Sequence, residues 1–190
     1  VDTGAFTGFL YMMKYRELIY EIYEEICGSR LTTNIGRIGG FERDFSDVAW
    51  QKINRFVAEF PDVLTEFNNL FIRNRIFMDR TQGVGGISAE RALNYGFTGP
   101  NLRAAGVDYD VRVAQPYSSY EDFDFIVPIG TGGDTYDRFM VRQHEVWESL
   151  KIIEQAYKNL PDGNFHADVP EFYLPEKAEV YNNMEALIYH

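Results

Sequence analysis

Three glycine-rich segments are the first places in this sequence where the backbone could bind a ligand. They are residues 36–40 (Gly-Arg-Ile-Gly-Gly), 83–86 (Gly-Val-Gly-Gly) and 130–133 (Gly-Thr-Gly-Gly). Glycine lets a backbone turn sharply or approach a phosphate group closely. None of the segments ends in Gly-Lys-Ser/Thr, and none places Gly-x-Gly-x-x-Gly between a strand and a helix. We interpret them as backbone turns, with nucleotide binding as the less favoured alternative.

Side chains suited to metal binding or nucleophilic catalysis are few. His144, His166 and His190 include no pair at the i, i+4 spacing of a helical metal site. Cys27 is the single cysteine, and it ends a predicted helix, where the dipole disfavours a thiolate. One cysteine cannot form an internal disulfide, which favours a reducing compartment, and cannot alone hold zinc or an iron–sulfur cluster. The sequence therefore predicts no metal site.

Composition narrows the possible classes of protein. The chain has 190 residues, of which 45% are hydrophobic and 16% aromatic, so it can form a packed core of about one domain. Its formal charge of −11 argues against a nucleic-acid partner. The uncharged stretch over residues 3–13 is shorter than the roughly 18 apolar residues that a membrane span needs.

Hydrophobic periodicity predicts a mainly α fold: one helical domain over residues 1–190, with long loops and at most minor strand content. Ser46 and Ser88 are predicted N-caps, and Pro61 predicts a break or a kink. Residues 123–127 weakly predict a strand, because Phe123, Phe125 and Val127 alternate with Asp122, Asp124 and Ile126. The predicted helices cover residues 3–27, 46–60, 61–71, 88–93, 135–160 and 177–189, with a short turn starting at 99.

Several segments carry motifs that are far more specific together than alone. They are Arg30-Leu-Thr-Thr-Asn-Ile-Gly-Arg-Ile-Gly-Gly, Asn74-Arg-Ile-Phe-Met-Asp-Arg-Thr-Gln-Gly-Val-Gly, Ile87-Ser-Ala-Glu-Arg-Ala-Leu-Asn-Tyr-Gly-Phe-Thr-Gly-Pro, Leu102-Arg-Ala-Ala-Gly-Val-Asp-Tyr-Asp-Val-Arg, Gln115-Pro-Tyr, Phe123-Asp-Phe-Ile-Val-Pro-Ile-Gly, Gly133-Asp-Thr-Tyr-Asp-Arg and Met184-Glu-Ala-Leu-Ile-Tyr-His. In this order and spacing they resemble the D subunit of NADH-quinone oxidoreductase, respiratory complex I. The resemblance runs nearly end to end, from Asp2 to His190.

The resemblance implies a helical bundle core of the kind found in the large subunit of hydrogenases. It implies a role in the quinone-reducing module of a proton-translocating NADH-quinone oxidoreductase. It also implies that the chain is the central part of a longer subunit, whose N-terminal and C-terminal regions are absent. In the family, the N-terminal region carries the histidine and tyrosine that hold the quinone headgroup. The isolated chain would contain neither these residues nor a redox centre, so it is expected to be inactive.

Two residues near the start are assigned to the quinone site by the resemblance. Asp2 matches the family's aspartate that partners the quinone-site histidine. A carboxylate there would orient the imidazole and favour its charged form, so that the pair could deliver a proton to reduced quinone. From the residues alone, a helix cap is the plainer interpretation of Asp2. Phe9 is expected to lie near the same chamber, although core packing would explain it equally well.

The loop over residues 29–45 is expected to face the neighbouring subunit that carries the terminal iron–sulfur cluster. Many members of the family have a histidine where this chain has Thr32 and Thr33. Because a hydroxyl does not titrate near neutral pH, we expect a cluster of lower potential with little pH dependence. Arg37, Gly39 and Gly40 are expected either to shape the surface facing the cluster or only to support the loop.

The resemblance also implies partners and cofactors. This chain would bind no cofactor of its own, while partner subunits would hold NADH, flavin and the iron–sulfur clusters. The quinone, expected to be menaquinone, would be reduced in the full subunit. The expected partners are the iron–sulfur subunit, other peripheral-arm subunits and the membrane arm. The complex would lie at the cytoplasmic face of a bacterial membrane.

Two alternatives stay open at this stage. One is the large subunit of a related membrane-bound nickel–iron hydrogenase, which would need paired cysteines for its metals. Cys27 is in no such motif, although the hydrogenase cysteines lie near the ends of that subunit. The other alternative is a helical scaffold without a catalytic role.

Overall fold

The computed structural model describes residues 6–169, 172 and 174–190, and in them the chain is mainly helical. The helices are α1 (Phe6–Cys27), α2 (Asp47–Phe71), α3 (Arg75–Thr81), α4 (Ala89–Asn94), α5 (Gly99–Ala104), α6 (Val111–Ala114), α7 (Thr135–Lys158), α8 (Lys177–Asn182) and α9 (Met184–Tyr189), with a 3₁₀ turn at Tyr120–Asp122. Two short antiparallel strands, β1 (Gly36–Arg37) and β2 (Gly40–Phe41), form the sheet. The predicted mainly α fold with minor strand content is confirmed.

The chain forms two compact units, and each unit is built from two separate segments. The first unit contains the residues up to Met13 together with Val57–Leu160. The second contains Lys14–Phe56 together with Pro161–His190. The single domain expected from the chain length stays a prediction.

Local capping sets several helix boundaries where the sequence predicts them. The hydroxyl of Ser46 accepts a hydrogen bond from the backbone N–H of Ala49 (3.1 Å), and the hydroxyl of Ser88 accepts one from Arg91 (3.4 Å). Each satisfies an N–H that the first helical turn leaves unpaired. Gly28 follows α1 with φ of 72°, and Gly96 follows α4 with φ of 70°. Glycine accepts this left-handed conformation without a side-chain clash, so it ends a helix readily.

Of the two outcomes predicted at Pro61, a break or a kink, the break is wrong, because α2 continues through it, and the kink stays a prediction. Proline inside a helix removes one N–H donor and costs about 3 kcal/mol. Phe60, Val63 and Leu64 flank Pro61 and are all buried, Leu64 completely. Burial of each large apolar side chain contributes about 1.5–3 kcal/mol, so together they outweigh the cost of the proline.

The strand predicted over residues 123–127 is also wrong. These residues are extended, but their backbone bonds to helix side chains instead of to another strand. The amide of Gln155 pairs with the backbone of Asp124, and Glu148 accepts a hydrogen bond from the N–H of Ile126 (3.0 Å). The alternation of residues therefore indicates an extended segment that runs along α7.

The last two helices replace the single helical segment that we predicted over residues 177–189. Asn183 ends α8 and begins α9, where its side chain accepts a hydrogen bond from the backbone N–H of Glu185 (2.9 Å). Asparagine competes well for backbone groups in this way, so it favours a cap over a helix interior.

A cluster of half-buried aromatic rings lies within the first unit. Phe71 lies 4.6 Å from Phe67 and 5.7 Å from Phe77, measured between ring centroids. Phe77 in turn meets Phe139 of α7 at 4.8 Å in an edge-on arrangement. Such pairs add about 0.5–1.5 kcal/mol beyond the burial of their surface, so they fix α3 and α7 against the end of α2.

Candidate functional site

Of the two residues that the sequence assigns to the quinone site, Phe9 lies at the start of α1. Asp2 lies outside the described residues. Phe9 is described and is 47% exposed, with its ring 6.0 Å from that of Phe6. Phe6 and Leu10 are each slightly more than half exposed, so this end of the helix presents an apolar surface.

A largely apolar cavity of about 330 Å³ opens beside that surface, within the first unit. Its lining includes Gly8, Leu70 and Phe71, whereas Phe9 does not line it. The hydroxyl of Tyr11 donates a hydrogen bond of 2.5 Å to Glu66 at its wall. Gly8 is needed because a Cβ at this position would lie 2.5 Å from Cζ of Phe71. The missing side chain lets α1 approach the end of α2 closely.

The loop predicted to face an iron–sulfur subunit forms a β-hairpin. Strands β1 and β2 pair Gly36 with Phe41 and Arg37 with Gly40, and Ile38 and Gly39 form the turn between them. Gly39 has φ of 96°. A two-residue hairpin turn requires such left-handed geometry, so a glycine suits this position.

Residues 165–167, which belong to the same unit, form hydrogen bonds with the hairpin. The N–H of Phe41 donates to the carbonyl of Phe165 (2.9 Å), and the N–H of Ala167 donates to the carbonyl of Gly39 (2.8 Å). The side chain of His166 hydrogen-bonds the carbonyl of Ile38 through Nε2 (3.0 Å). A Cβ at Gly40 would clash with the carbonyl oxygen of Phe165. The pairing therefore requires glycine at position 40.

The other predicted residues of this loop have separate surroundings. Arg37 bonds Glu42 at 2.6 Å and the carbonyls of Asn34 and Gly36, so its guanidinium braces the hairpin. Thr32 and Thr33 are exposed and precede the hairpin. The hydroxyl of Thr32 lies 3.1 Å from that of Ser29. The structure thus brings Arg37, Gly39 and Gly40 together, leaves the threonines in the segment before them, and places Phe9 in the other unit.

Sequence reasoning missed a charged network in the first unit. Arg103 and Asp110 form an ion pair at 3.4 Å, and their side chains are only 7% and 4% exposed. Nε of Arg103 also donates a hydrogen bond to the carboxylate of Glu145 in α7 (3.1 Å). Arg112 donates two hydrogen bonds to the carboxylate of Asp110, from Nε (3.0 Å) and from one terminal nitrogen (2.6 Å). The network borders a cavity of about 600 Å³. The sequence does contain one indication of this network: several charged residues lie inside the otherwise apolar motif from Leu102 to Arg112.

Hydrogen bonding sets the charge state of Asp110. Side-chain hydrogen bonds from Arg112 hold the pKa of this carboxyl below its ordinary value, and the charges of both arginines act in the same direction, although burial opposes them. The same bonds raise the pKa of Arg112. Two cations and two carboxylates therefore neutralise one another, which lets the pair of Arg103 and Asp110 stay buried.

Two further properties concern the described part of the chain. In it, no three residues among histidine, cysteine, aspartate and glutamate are grouped so that they could hold a metal ion. None of the helices formed by the described residues is both long and apolar enough to cross a bilayer.

Comparison with known proteins gives one consistent family. The family model of the 49-kDa subunit of respiratory-chain NADH dehydrogenase matches residues 2–190. Three relatives are named as the D subunit of NADH-quinone oxidoreductase. The chain is 75% identical to the D 2 protein of Cytophaga hutchinsonii, 71% identical to that of Flavobacterium johnsoniae and 50% identical to that of Leptospira biflexa.

These matches cover the whole of this chain but only 49%, 46% and 47% of the three relatives. The chain therefore spans about half the length of the curated relatives it matches. The hairpin, the glycine segments and the charged network all lie within the matched residues. By the extent of the family match and by these identities, the chain belongs to the family of the 49-kDa subunit of respiratory-chain NADH dehydrogenase, also named the D subunit of NADH-quinone oxidoreductase.

Proposed function

We propose that this chain is part of the quinone-reducing module of a proton-translocating NADH-quinone oxidoreductase. The observation that carries the proposal is the family match over residues 2–190, together with relatives that are named as the D subunit of that enzyme. In this proposal, electrons from NADH pass through flavin and iron–sulfur clusters in partner subunits. The chain itself supplies protein surface at the point where quinone is reduced. The complex lies peripherally at the cytoplasmic face of the membrane.

The N-terminal end of α1 is proposed to form part of the wall of the quinone chamber. Support comes from the exposed apolar surface of Phe6, Phe9 and Leu10 and from the apolar cavity beside it. An apolar wall suits a ring with a long hydrocarbon tail, because it excludes water from both. Asp2 precedes this surface and would orient the histidine that protonates the quinone.

The hairpin is proposed to dock on the subunit that carries the terminal iron–sulfur cluster. Ile38 at its turn is 67% exposed, and Leu31 and Phe41 are exposed as well. Hydrogen bonds from the segment over residues 165–167 hold the hairpin in place. A rigid, apolar tip loses little conformational entropy on binding, so it suits a permanent subunit contact.

The docking proposal is tested with Ile38→Glu in the full-length subunit. A carboxylate at an apolar interface is costly to desolvate, so the variant should fold normally but recover much less iron–sulfur subunit on affinity purification. Ile126→Glu is the matched control, since Ile126 is 68% exposed and belongs to the other unit. Equal recovery of the partner with both variants would rule out the hairpin as the docking element.

The chemical proposal is tested with Asp2→Asn in the assembled enzyme. NADH-driven quinone reduction should fall by roughly 10²-fold or more, as when a general acid loses its orienting partner. Electron transfer from NADH to a soluble artificial acceptor that accepts electrons before the quinone should be unchanged. If this variant reduces quinone at the rate of the unchanged enzyme, Asp2 has no role in protonating the quinone. The isolated 190-residue chain is proposed to be inactive, and turnover by it would contradict the assignment of the redox centres to partner subunits.

The threonines are proposed to leave the neighbouring cluster without a titrating partner. The potential of the terminal cluster should then stay nearly constant between about pH 6 and 8, since neither Thr32 nor Thr33 can gain or lose a proton in that range. Redox titration of the assembled enzyme measures this potential. A strongly pH-dependent potential would contradict the proposal, while Thr32→His should introduce such a dependence.

A further inference from the structure

Gly85 and Gly86 of the glycine segment over residues 83–86 line a cavity whose wall contains two arginines beside the apolar side chains of Ile87 and Phe97. The cavity has a volume of about 410 Å³ and lies within the first unit. Its lining includes Gly85 and Gly86 of the segment, Arg91 of α4, Asn101 of α5 and Arg138 of α7. No carboxylate occurs among the described residues that line it. We call it the arginine cavity.

The guanidinium of Arg138 is fixed at the cavity by neutral acceptors. It donates to the carbonyl oxygens of Gly133 (2.8 Å) and Gly85 (3.1 Å) and to the hydroxyl of Thr135 (2.9 Å). Asp134 precedes α7, but its carboxylate accepts hydrogen bonds from the N–H groups of Asp137 and Gly83. Arg138 makes no ion pair within 4 Å in the part of the chain that the structure describes, although its charge is near enough to Asp134 to help lower the pKa of that carboxyl.

Two more arginines increase the positive charge around the cavity. Arg142 donates to Asn101 (3.1 Å) and to the carbonyl of Arg138, one helical turn before it. Arg91 is exposed and lies over the ring of Tyr95 at 5.9 Å. Like charges at i and i+4 of a helix repel one another, so an anion bound beside Arg138 would reduce this repulsion, although Arg142 does not itself line the cavity. This local excess of positive charge occurs in a chain whose formal charge is −11.

The backbone of the glycine segment offers further donors. Gly85 has φ of 64°, and both Gly85 and Gly86 are exposed. Their N–H groups donate to no protein acceptor among the described residues. Exposed N–H groups beside fixed guanidinium groups are the usual components of an oxyanion site.

We propose that the arginine cavity binds a phosphate group, from inorganic phosphate or from a phosphate monoester. The donors come from three directions, namely α4, α7 and the glycine segment. A flat carboxylate would be satisfied by one guanidinium fork, whereas a tetrahedral oxyanion has oxygens for all three. The proposal is independent of the quinone chemistry, because it depends only on these donors.

The test measures binding of radiolabelled inorganic phosphate to the purified full-length protein by equilibrium dialysis at constant ionic strength. Arg91→Gln should weaken binding roughly tenfold, because it removes a charge-assisted donor. Arg91→Lys should weaken it less, since it keeps the charge but loses the fork. Arg75→Gln is the matched control, because the side chain of Arg75 is 93% exposed on α3 and does not line the cavity.

A second arm identifies the source of the phosphate group, using vesicles of phosphatidylcholine with and without phosphatidic acid. Saturable binding of inorganic phosphate that depends on Arg91 supports a soluble ligand. Binding to phosphatidic acid vesicles alone, with the same dependence on Arg91, supports a lipid headgroup at the same donors. Absence of saturable binding in both arms, or equal weakening by Arg75→Gln, would overturn the proposal.

Discussion

The side-chain amide of Gln155 pairs with both backbone groups of Asp124. Its Nε2 donates to the carbonyl oxygen of Asp124, and its Oε1 accepts from the N–H, each at 2.8 Å. This is the pattern that a neighbouring strand would offer, supplied here by a side chain of α7. The extended segment after the 3₁₀ turn is therefore held without a second strand.

Replacing Gln155 should loosen this segment. Gln155→Leu removes both hydrogen bonds to Asp124 and a third, longer one to the carbonyl of Lys151; such bonds contribute about 1 kcal/mol each. Hydrogen exchange at the amide of Asp124 should become faster, while exchange at Ile126, which bonds Glu148, should change less. Gln51→Leu, on an exposed position of α2, is the control. Unchanged exchange at Asp124 would show that the pairing contributes nothing in solution.

The contact between Gly8 and Phe71 should not tolerate a methyl group. Gly8→Ala favours the helix by about 1 kcal/mol, but it forces the ring of Phe71 against Phe67 and Phe77. Overpacking of this kind costs about 1–3 kcal/mol, so a small net destabilisation is expected in urea denaturation. The double variant with Phe71→Leu should regain stability relative to Gly8→Ala. If the loss of stability in the double variant equals the sum of the losses in Gly8→Ala and Phe71→Leu, the contact is refuted.

The buried carboxylate of Asp110 should make stability depend on pH. Its pKa is lower in the folded state than in the unfolded state, chiefly because of hydrogen bonds from Arg112. Its stabilisation is then fully present above the unfolded value of about 3.9 and is lost as the pH falls through the lower folded value. Urea denaturation from pH 7 downward measures this loss.

Asp110→Asn should remove that part of the pH dependence. At neutral pH it leaves Arg103 and Arg112 without their shared carboxylate, which should cost about 3 kcal/mol. The difference from the unchanged protein should shrink in acid, because Asp110 is then protonated as well. Asp162→Asn, an exposed position after α7, is the control. A difference that stays constant with pH would contradict the assignment.

The hairpin should depend on Gly40 but not on Gly36. Gly40→Ala places a Cβ against the carbonyl of Phe165 in a left-handed conformation, which should cost about 2 kcal/mol. Amide exchange at Phe41 and Ala167 should then become much faster. Gly36→Ala meets no atom within 4 Å, so it should leave both amides protected. Loss of protection in both variants would mean that strand pairing, not close approach, requires glycine.

The features that the sequence predicted correctly are local ones. Ser46, Ser88 and Gly28 act within one helical turn of themselves, so their types and spacing were enough to place helix boundaries. The break predicted at Pro61 does not occur, because the effect of the proline is opposed by burial of Phe60 and Leu64, which depends on tertiary packing that a local rule does not include.

In the candidate site too, the sequence indicated residues that are close along the chain but not their contacts with distant segments. The resemblance pointed to Arg37, Gly39 and Gly40, and the hairpin does bring them together. Their support by His166 could not be predicted, since 128 positions separate that residue from Ile38. The pair of Arg103 and Glu145 is likewise separated by 42 positions. No periodicity within either segment carries that information.

The division of each unit between two segments also affects the order in which the chain can fold during synthesis. The first unit needs residues up to Leu160, although its earliest part is made before Lys14. The second unit needs the segment that begins at Pro161, which includes the residues that hold the hairpin. Residues up to Leu160 must therefore leave the ribosome before the first unit can close, and the segment that begins at Pro161 must leave it before the second can. Until then, the apolar side chains of Leu31 and Ile38 would be exposed to water on a loop that lacks its hydrogen bonds to residues 165–167. Binding of a chaperone or of a partner subunit at this stage would protect the loop most from aggregation.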